Sequence, residues 1–171
     1  MYCANYESPL GIYRMISDGQ ALIGLDRMVD ATDILNQFEY QETLPIFQKT
    51  RAWLDAYFRK ENPSIDALHI QLHGTAFQKE VWDVLLDVKY GSVATYGDLA
   101  KILAKRRNIK RMSSQAVGNA LGKNPIPIIV PCHRIIGTKD NLVGYTGGLH
   151  IKTFLLELEG IDITKLHKPK S

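Results

Sequence analysis

The chain has 171 residues, of which 45% are hydrophobic and 23% are charged. This composition is typical of an ordinary folded protein and excludes collagen-like, low-complexity and disordered chains. No apolar run approaches the ~18 residues that a membrane-spanning helix needs, and the first residues lack the basic and apolar stretches of a secretory signal. We therefore expect a cytoplasmic protein without a membrane partner. Two cysteines, Cys3 and Cys132, are too few for a disulfide framework or a four-sulfur zinc site.

The two parts of the chain differ in net charge. Residues 1–73 contain 6 Lys and Arg against 10 Asp and Glu, a net charge of −4, whereas residues 74–171 contain 15 against 8, a net charge of +7. A polar stretch at 62–74 separates the parts, so we predict two domains, 1–73 and 74–171. The charge of the second domain is typical of a protein that binds a polyanion, although many small basic domains bind no nucleic acid.

The first predicted element is a β-hairpin. Ile12, Met15 and Ile16 precede the turn signal Asp18-Gly19, and a second apolar run follows at 21–25. The pattern thus predicts a small antiparallel sheet at the start of the first domain.

A helix is predicted after the sheet. Pro45 suits a first helical turn, and the spacing of the apolar residues that follow lines one helix face, at Phe47, Leu54, Tyr57 and Phe58. The polar residues 62–64 end this helix. Because residues 1–61 gather no group of reactive side chains, we interpret the first domain as structural.

The second domain is predicted to be mainly helical. Its first helix begins at a capping box formed by Thr75 and Gln78, and a second begins at Thr95. A basic loop at 105–111 leads to a short third helix over 114–121. The second and third helices resemble a helix-turn-helix, although most helix pairs are purely structural. The last helix ends at Gly160 and has its apolar face at Ile151, Phe154, Leu155 and Leu158.

Between the third and last helices, the apolar segment 124–134 places a cysteine beside a histidine and an arginine. Its three prolines exclude an ordinary helix. A cysteine is a good nucleophile as a thiolate, and a nearby positive charge or base lowers its pKa. His133 can be that base, with a water between it and Cys132, because adjacent side chains on a strand point in opposite directions. The alternative is that Cys132 is simply packed in the core.

The residues around this cysteine resemble those of a known protein family. Pro131-Cys132-His133-Arg134, preceded by Asn124-Pro125 and followed by the stretch 144–149, is similar to the methylated-DNA protein-cysteine methyltransferases, also called alkylguanine-DNA alkyltransferases. The resemblance covers most of 74–160, with upstream motifs in the family's order at 74–78, 81–82, 90–91, 95–100 and 116–120. The first 73 residues match only in length and in their strand-then-helix character.

The resemblance implies an α+β fold. A small antiparallel sheet with a helix, ribonuclease H-like, forms the first domain, and a mainly helical, winged-helix-like domain with a helix-turn-helix forms the second. It also implies a function in DNA repair, in which the alkyl group on O6 of guanine moves irreversibly to a cysteine in one turnover. O4-alkylthymine is left open as a second substrate. We expect a monomer that binds double-stranded DNA containing an alkylated guanine, without a cofactor, because the damaged DNA is the alkyl donor.

The resemblance also carries roles to individual residues. Cys132 is the acceptor, His133 is the base acting through a water, and Glu159 is the carboxylate that holds His133. Tyr96 donates a proton or hydrogen bond to the departing base, and Asn124 braces the turn before the cysteine. The pocket for the base is formed by Val130, Tyr145, Thr146, Gly147 and Gly148. Arg134 could either contact a phosphate or hold the active-site loop from within, and the resemblance favours the internal role.

The third helix departs from the family pattern. An arginine usually fills the gap that the extruded nucleotide leaves, and the motif alignment puts Gln115 at that position. Glutamine can hydrogen-bond the orphaned base but carries no charge, so we expect weaker stabilisation of the flipped state. The residues predicted to bind DNA are Gln115, Ala116, Gly118, Asn119, Arg111 and Lys123, with further phosphate contacts from 106–111.

A structural zinc occurs in the N-terminal domain of some relatives. This chain offers only Cys3, His69 and His73 there, which departs from sulfur-rich tetrahedral spacing. We therefore predict that no metal is required.

Other functions are compatible with parts of the pattern. A non-catalytic binder of alkylated DNA on the same scaffold is the nearest alternative, but such binders lack the acceptor cysteine. A DNA-binding regulator would need an operator and a dimer, and a thiol hydrolase would need an acyl-binding site. The sequence suggests neither, so alkyl transfer to Cys132 is the leading prediction.

Overall fold

The structure is a computed structural model of the chain that describes residues 1–29, 37–145 and 147–166. The chain divides into two compact units, Met1–His73 and a second unit that begins at Gly74. No helix in the described ranges is long and apolar enough to cross a membrane. The α+β prediction is confirmed: strands dominate the first unit and helices the second.

The described part of the first unit contains a four-stranded sheet in the order β3-β2-β1-β4. Its strands are β1 (Tyr2–Ser8), β2 (Gly11–Ser17), β3 (Leu22–Arg27) and β4 (Glu39–Tyr40). The predicted hairpin is β2 and β3, which pair antiparallel, and the short β4 adds a parallel pair beside β1. The turn forms because Asp18 Oδ1 accepts hydrogen bonds from the backbone of Gln20 and Ala21, both at 2.9 Å.

Helix α1 (Pro45–Phe58) packs its apolar side into the first unit. Proline occupies the first helical turn, as predicted, and Phe47, Leu54 and Tyr57 are buried, whereas Phe58 is half-buried. The helix ends at Phe58, before the predicted polar stop, because Lys60 turns the backbone into the left-handed region at φ 66°.

The second unit contains α2 (Ala76–Leu85), α3 (Tyr96–Arg106), α4 (Ser114–Gly122) and α5 (Leu149–Leu158). Helices α2 and α3 begin at capping boxes, at Thr75 with Gln78 and at Thr95 with Asp98. Thus both predicted helix starts are confirmed. The loop between α3 and α4 is longer than the roughly three or four residues of a tight helix-turn-helix.

Helices α2, α3 and α4 pack against one another around a buried tryptophan. Trp82 on α2 donates a hydrogen bond from Nε1 to the carbonyl oxygen of Ala120 on α4 at 2.9 Å. Two short parallel strands, β5 (Ala94–Thr95) and β6 (Ile135–Ile136), join the start of α3 to the segment after the cysteine. These contacts hold α4, α3 and the cysteine segment in a fixed arrangement.

Candidate active site

The segment before the cysteine is a buried, hydrogen-bonded loop. Asn124 closes it: its Nδ2 donates to the carbonyl oxygen of Val130 at 2.8 Å, and its Oδ1 accepts from the backbone of Ile126 at 3.0 Å. Inside the loop, buried Ile128 has a φ of 74°, which is unfavourable for a β-branched residue by about 1–3 kcal/mol. Burial of the surrounding isoleucine and valine side chains offsets this strain.

Cys132, His133 and Arg134 form a 3-10 turn rather than a strand. Cys132 is partly exposed, whereas His133 is fully buried and Arg134 is 9% exposed. The turn therefore directs the imidazole inward and leaves Cys132 partly exposed, although its thiol is enclosed enough for burial to dominate its pKa. This arrangement agrees with the prediction that the two side chains need not touch.

Glu159 connects the histidine to the arginine. It lies at the carboxyl end of α5, and its side chain is fully buried. Its Oε2 lies 2.6 Å from Nε2 of His133, and its Oε1 accepts from Nε of Arg134 at 2.8 Å and from the backbone of Gly91 at 3.1 Å. A buried carboxylate with several charge-assisted hydrogen bonds is held rigidly and fixes the orientation of the imidazole.

Arg134 is an internal residue. Its Nη2 also donates to Oε2 of Glu159 at 3.2 Å, and its Nη1 donates to the carbonyl oxygen of Val88 at 2.7 Å. The guanidinium carbon lies 5.8 Å from the ring centroid of Tyr90. The prediction of an internal role for Arg134 is confirmed.

The environment shifts the pKa values of the groups around the cysteine. Burial raises the pKa of the Cys132 thiol, while hydrogen bonds from Asn124 and Tyr145 and the charge of Lys152 lower it. Burial lowers the pKa of His133, against the raising effect of Glu159, so the imidazole is neutral at pH 7. Burial and the proximity of Cys132 raise the pKa of Tyr96, which therefore keeps its proton.

Lys152 was not predicted as a site residue. The apolar face of α5 is rotated relative to the prediction: Phe154 and Leu158 are half-buried, and the buried residues are Ile151, Lys152, Leu155 and Leu156. One signal was present in the sequence. Lys152 lies three and four residues before Leu155 and Leu156 and seven residues before Glu159, and this spacing puts all four side chains on one side of a helix.

An open cleft of about 580 Å³ lies between α3, α4 and the loop that follows β6. It is lined by Tyr96, Gly97, Ser114, Gln115, Gly118, Asn119, Thr138, Val143 and Gly144. The ring of Tyr96 lies against α4, since a Cβ added at Gly118 would meet it at 3.5 Å. Thus the cleft brings together four predicted site residues, Tyr96, Gln115, Gly118 and Asn119. The other five lining residues were not predicted as site residues, although Gly97 and Gly144 lie within the family motifs.

The remaining predicted pocket residues lie near the cysteine or at the start of α5. The Val130 carbonyl accepts from the backbone of Cys132 at 2.9 Å, and Tyr145 hydrogen-bonds the thiol. Gly148 precedes α5 with a φ of 103°, and a Cβ added at Gly147 would meet the Tyr145 ring at 3.1 Å. Thr146 lies outside the described residues.

The residues predicted to bind DNA are mostly on the surface of the second unit. Gln115, Asn119, Arg111 and Lys123 are exposed, and Ala116 and Gly118 are half-buried. Two of the expected phosphate-binding arginines already have partners: Arg106 contacts Asp83 at 2.9 Å, and Arg107 contacts Glu80 at 2.7 Å. Exposed ion pairs of this kind are weak and exchangeable, but they make Arg106 and Arg107 poorer candidates than Arg111 and Lys123.

The residues considered for zinc are differently placed. Cys3 is buried in β1, whereas His69 and His73 are exposed. Within the described ranges, no three His, Cys, Asp or Glu side chains are grouped closely enough to hold a metal ion. The absence of a required metal stays a prediction.

Comparison with known proteins yields matches to both units. The family model described as 6-O-methylguanine DNA methyltransferase, ribonuclease-like domain, matches residues 1–72, and that of the DNA binding domain matches residues 76–161.

Similar proteins cover nearly the whole chain. Methylated-DNA–protein-cysteine methyltransferase of Haemophilus influenzae is 38% identical over 94% of this chain and 87% of its own length. The protein of the same name from Methanosarcina acetivorans is 41% identical over 94% and 99%. The crystal structure of Mycobacterium tuberculosis OGT in complex with DNA superposes with a TM-score of 0.80 at 33% identity, covering 98% of this chain and 96% of that one.

Proposed function

The chain belongs to the 6-O-methylguanine DNA methyltransferase family, and from this premise we propose that it repairs DNA by moving the alkyl group of an O6-alkylguanine to Cys132. The observation that carries the proposal is the arrangement of Cys132, a partly exposed residue, next to a buried His133–Glu159 pair. The reaction consumes the protein, because a thioether does not release its alkyl group under cellular conditions.

The proposed reaction is a displacement at the alkyl carbon. The Cys132 thiol loses its proton to His133 through a water, and with Nε2 held by Glu159 the accepting nitrogen is Nδ1. The thiolate then forms the S–C bond as the C–O6 bond breaks. Guanine leaves with a proton, so the net transfer is one alkyl group to sulfur and one proton from sulfur to the base. Tyr96, whose raised pKa keeps it protonated, donates a hydrogen bond to that base.

The base reaches the thiol only if it leaves the helical stack, which costs a few kcal/mol. The cleft beside Tyr96, at about 580 Å³, has room for one extruded base. In this proposal α4 approaches the DNA through Ala116, Gly118 and Asn119, and Arg111 and Lys123 contact phosphates. Thr146, with Val130, Tyr145, Gly147 and Gly148, completes the base pocket.

The proposed roles of the two domains follow those of the family. Residues 1–73 form a structural domain, and residues 74–171 carry the acceptor and the DNA-binding surface. The protein acts as a monomer on double-stranded DNA in the cytoplasm, and it needs neither a cofactor nor a metal. A non-catalytic binder of alkylated DNA remains the second candidate, favoured only if Cys132 proves inert.

The proposal is tested by intact-protein mass after incubation with a duplex that carries one O6-methylguanine. We expect every chain to gain one methylene unit, mapped to Cys132, and Cys132→Ser to gain nothing. Cys3→Ala is the matched control and should gain the same mass as the unmodified sequence. An unchanged mass together with tight binding to the alkylated duplex would show a damage-binding protein instead.

A second prediction concerns Gln115 as the residue that fills the vacated position in the duplex. Gln115→Ala should weaken repair of duplex DNA about 2- to 10-fold, the value of one hydrogen bond, and Gln115→Arg should strengthen duplex binding because it adds a charge. Single-turnover repair rates and duplex affinity are the measurements. Exposed Gln71 in the first unit provides the control, as Gln71→Ala. Unchanged repair and affinity in Gln115→Ala would rule the role out.

A further inference from the structure

The connection between α3 and α4 is long for a helix pair of this kind. It comprises residues 107–113, whereas a tight helix-turn-helix uses roughly three or four. The end of α3 reverses direction at Asn108, which has a φ of 53°, and the backbone amide of Ile109 donates to the carbonyl oxygen of Ala104 at 3.0 Å. Residues 109–113 have neither helix nor strand. A connection with so many free dihedral angles does not by itself fix α4 relative to α3.

Two arginines at the start of this connection are tied to helix α2. In Arg107, Nε and Nη2 lie 2.9 and 2.7 Å from Oε2 of Glu80. The guanidinium carbon of Arg107 also lies 5.1 Å from the ring centroid of Phe77, about one turn earlier on α2. Arg106 contacts Asp83, about one turn later, at 2.9 Å. Because positions 77, 80 and 83 share one helix face, the end of α3 lies along that face of α2.

The opposite side of α2 holds α4. Trp82 is two residues after Glu80, which places it about 200° around the helix, and its Nε1 donates to the carbonyl oxygen of Ala120 on α4. The chain before α2 lies against the same ring, since a Cβ added at Gly74 would meet it at 2.6 Å. Helix α2 is therefore the common support of α4 and of the end of α3.

The Arg107 contact is more restrained than an isolated surface ion pair. An exposed pair contributes little, because its long side chains must be held in one geometry. Here two donors of the guanidinium converge on one carboxylate, the Phe77 ring covers the group, and the Glu80 side chain is only 23% exposed. Stacking on an aromatic ring together with a directed hydrogen-bonding fork is a geometry that arginine provides and lysine does not.

We propose that Arg107, held by Glu80 and Phe77, is a positioning residue that fixes the end of α3 on α2 and thereby sets the start of α4 against the alkylated duplex. The Arg106–Asp83 pair is a second, more exposed tie. The inference rests on the proposed function, since it concerns the same DNA-binding surface. Other residues line the cleft beside Tyr96, so the effect of Arg107 is on the placement of DNA and not on the chemistry at Cys132.

The competing interpretation is that Glu80 only covers an arginine that contacts a phosphate when DNA binds. The two interpretations predict opposite effects of Glu80→Gln. If Arg107 contacts a phosphate, removal of the neighbouring negative charge strengthens duplex binding. If Arg107 positions α4, the same change weakens duplex binding, although it makes the second unit more positive.

The test compares reactions with and without DNA. Single-turnover repair of a duplex with one O6-methylguanine is measured at fixed salt and limiting protein, beside Cys132 alkylation by iodoacetamide in a Cys3→Ala background. Glu80→Gln and Arg107→Met should each slow duplex repair about 3- to 10-fold and leave the iodoacetamide rate unchanged. Asp83→Asn, which loosens only the second tie, should slow repair less.

Matched variants account for charge alone. Glu157 on α5 and Lys89 after α2 are both exposed. Glu157→Gln removes a negative charge and should not slow repair, and Lys89→Met shows the effect of losing one positive charge, which Arg107→Met should exceed. Arg107→Lys keeps the charge without the fork and should recover only part of the rate.

The double variant Glu80→Gln with Arg107→Met should be no slower than the slower single variant, because either change already breaks the tie. Glutamine is nearly isosteric with glutamate, so Glu80→Gln preserves packing and decides the matter if Arg107→Met folds poorly. Faster or unchanged duplex repair in Glu80→Gln would overturn the inference. The proposed function is judged separately, by methyl transfer from the duplex to the protein with Glu80 and Arg107 in place.

Discussion

Glu159→Gln is expected to slow alkyl transfer by a factor on the order of 10² to 10⁴ and to lower the free energy of unfolding by about 3–5 kcal/mol. The carboxylate of Glu159 receives hydrogen bonds from Arg134 and the backbone of Gly91 and lies 2.6 Å from His133. Glutamine has nearly the same shape, but it leaves the Arg134 guanidinium buried without a counter-charge. It also replaces one of the two carboxylate oxygens with an NH2 group, which cannot accept, so the hydrogen bonds to that oxygen are lost.

The pH dependence separates the catalytic effect from the structural one. Glu159 raises the pKa of His133 against the lowering effect of burial, so its loss lowers that pKa further and makes the imidazole a weaker base. Raising the pH should then restore part of the rate in Glu159→Gln, because the thiol begins to ionise without help. Single-turnover kinetics across pH and denaturant unfolding are the two measurements.

The matched control lies on the same helix. Glu157 is exposed, two residues before Glu159, and Glu157→Gln should change neither the transfer rate nor the unfolding free energy appreciably. If Glu159→Gln transferred the alkyl group at the original rate, the Glu159 carboxylate would have no part in activating the thiol through His133.

The helix starts were predictable because their causes are local. A threonine followed three residues later by a glutamine or aspartate satisfies the unpaired backbone amides of the first turn, whatever the rest of the chain does. Thr75 and Thr95 therefore identified α2 and α3 from sequence. In contrast, β1 was not predicted, because Tyr2–Ser8 has no regular alternation of apolar and polar residues and becomes a strand only through pairing with β2 and β4.

The pairing of His133 with Glu159 was predictable only through the family motifs. His133 and Glu159 are 26 residues apart in sequence, and no periodic pattern relates them. The pairing of Arg106 and Arg107 with α2 was missed for the same reason, since it joins two helices that are separated along the chain. Long-range contacts of this kind depend on packing, which local patterns do not specify.

Lys152 shows where pattern reasoning fails at a buried position. A lysine beside the leucines of α5 is normally assigned to the solvent side, because burying its charge is unfavourable. Here the backbone carbonyls of Ile135 and Val143 accept its hydrogen bonds.

The Arg134–Glu159 pair leads to the second large prediction. Arg134→Met should lower the free energy of unfolding by about 3–5 kcal/mol, because it leaves the buried carboxylate without its guanidinium. Arg134 lowers the pKa of His133, so its removal raises that pKa and keeps the imidazole protonated to higher pH. A protonated imidazole cannot accept the thiol proton, and the acid limb of the pH–rate profile should therefore move to higher pH.

The double variant Arg134→Met with Glu159→Gln distinguishes pairing from independent effects. With both charges removed, neither is buried alone, so the combined loss of stability should be smaller than the sum of the single losses by about 0.5–3 kcal/mol. Transfer should stay as slow as in Glu159→Gln, because His133 still lacks its carboxylate. The exposed Arg59–Glu61 pair is the control, and its double-mutant cycle should show no measurable coupling. Additive losses of stability at Arg134 and Glu159 would mean that the two charges are solvated separately. If the double variant recovered stability but not activity, the pair would stabilise the fold, and Glu159 alone would orient the histidine.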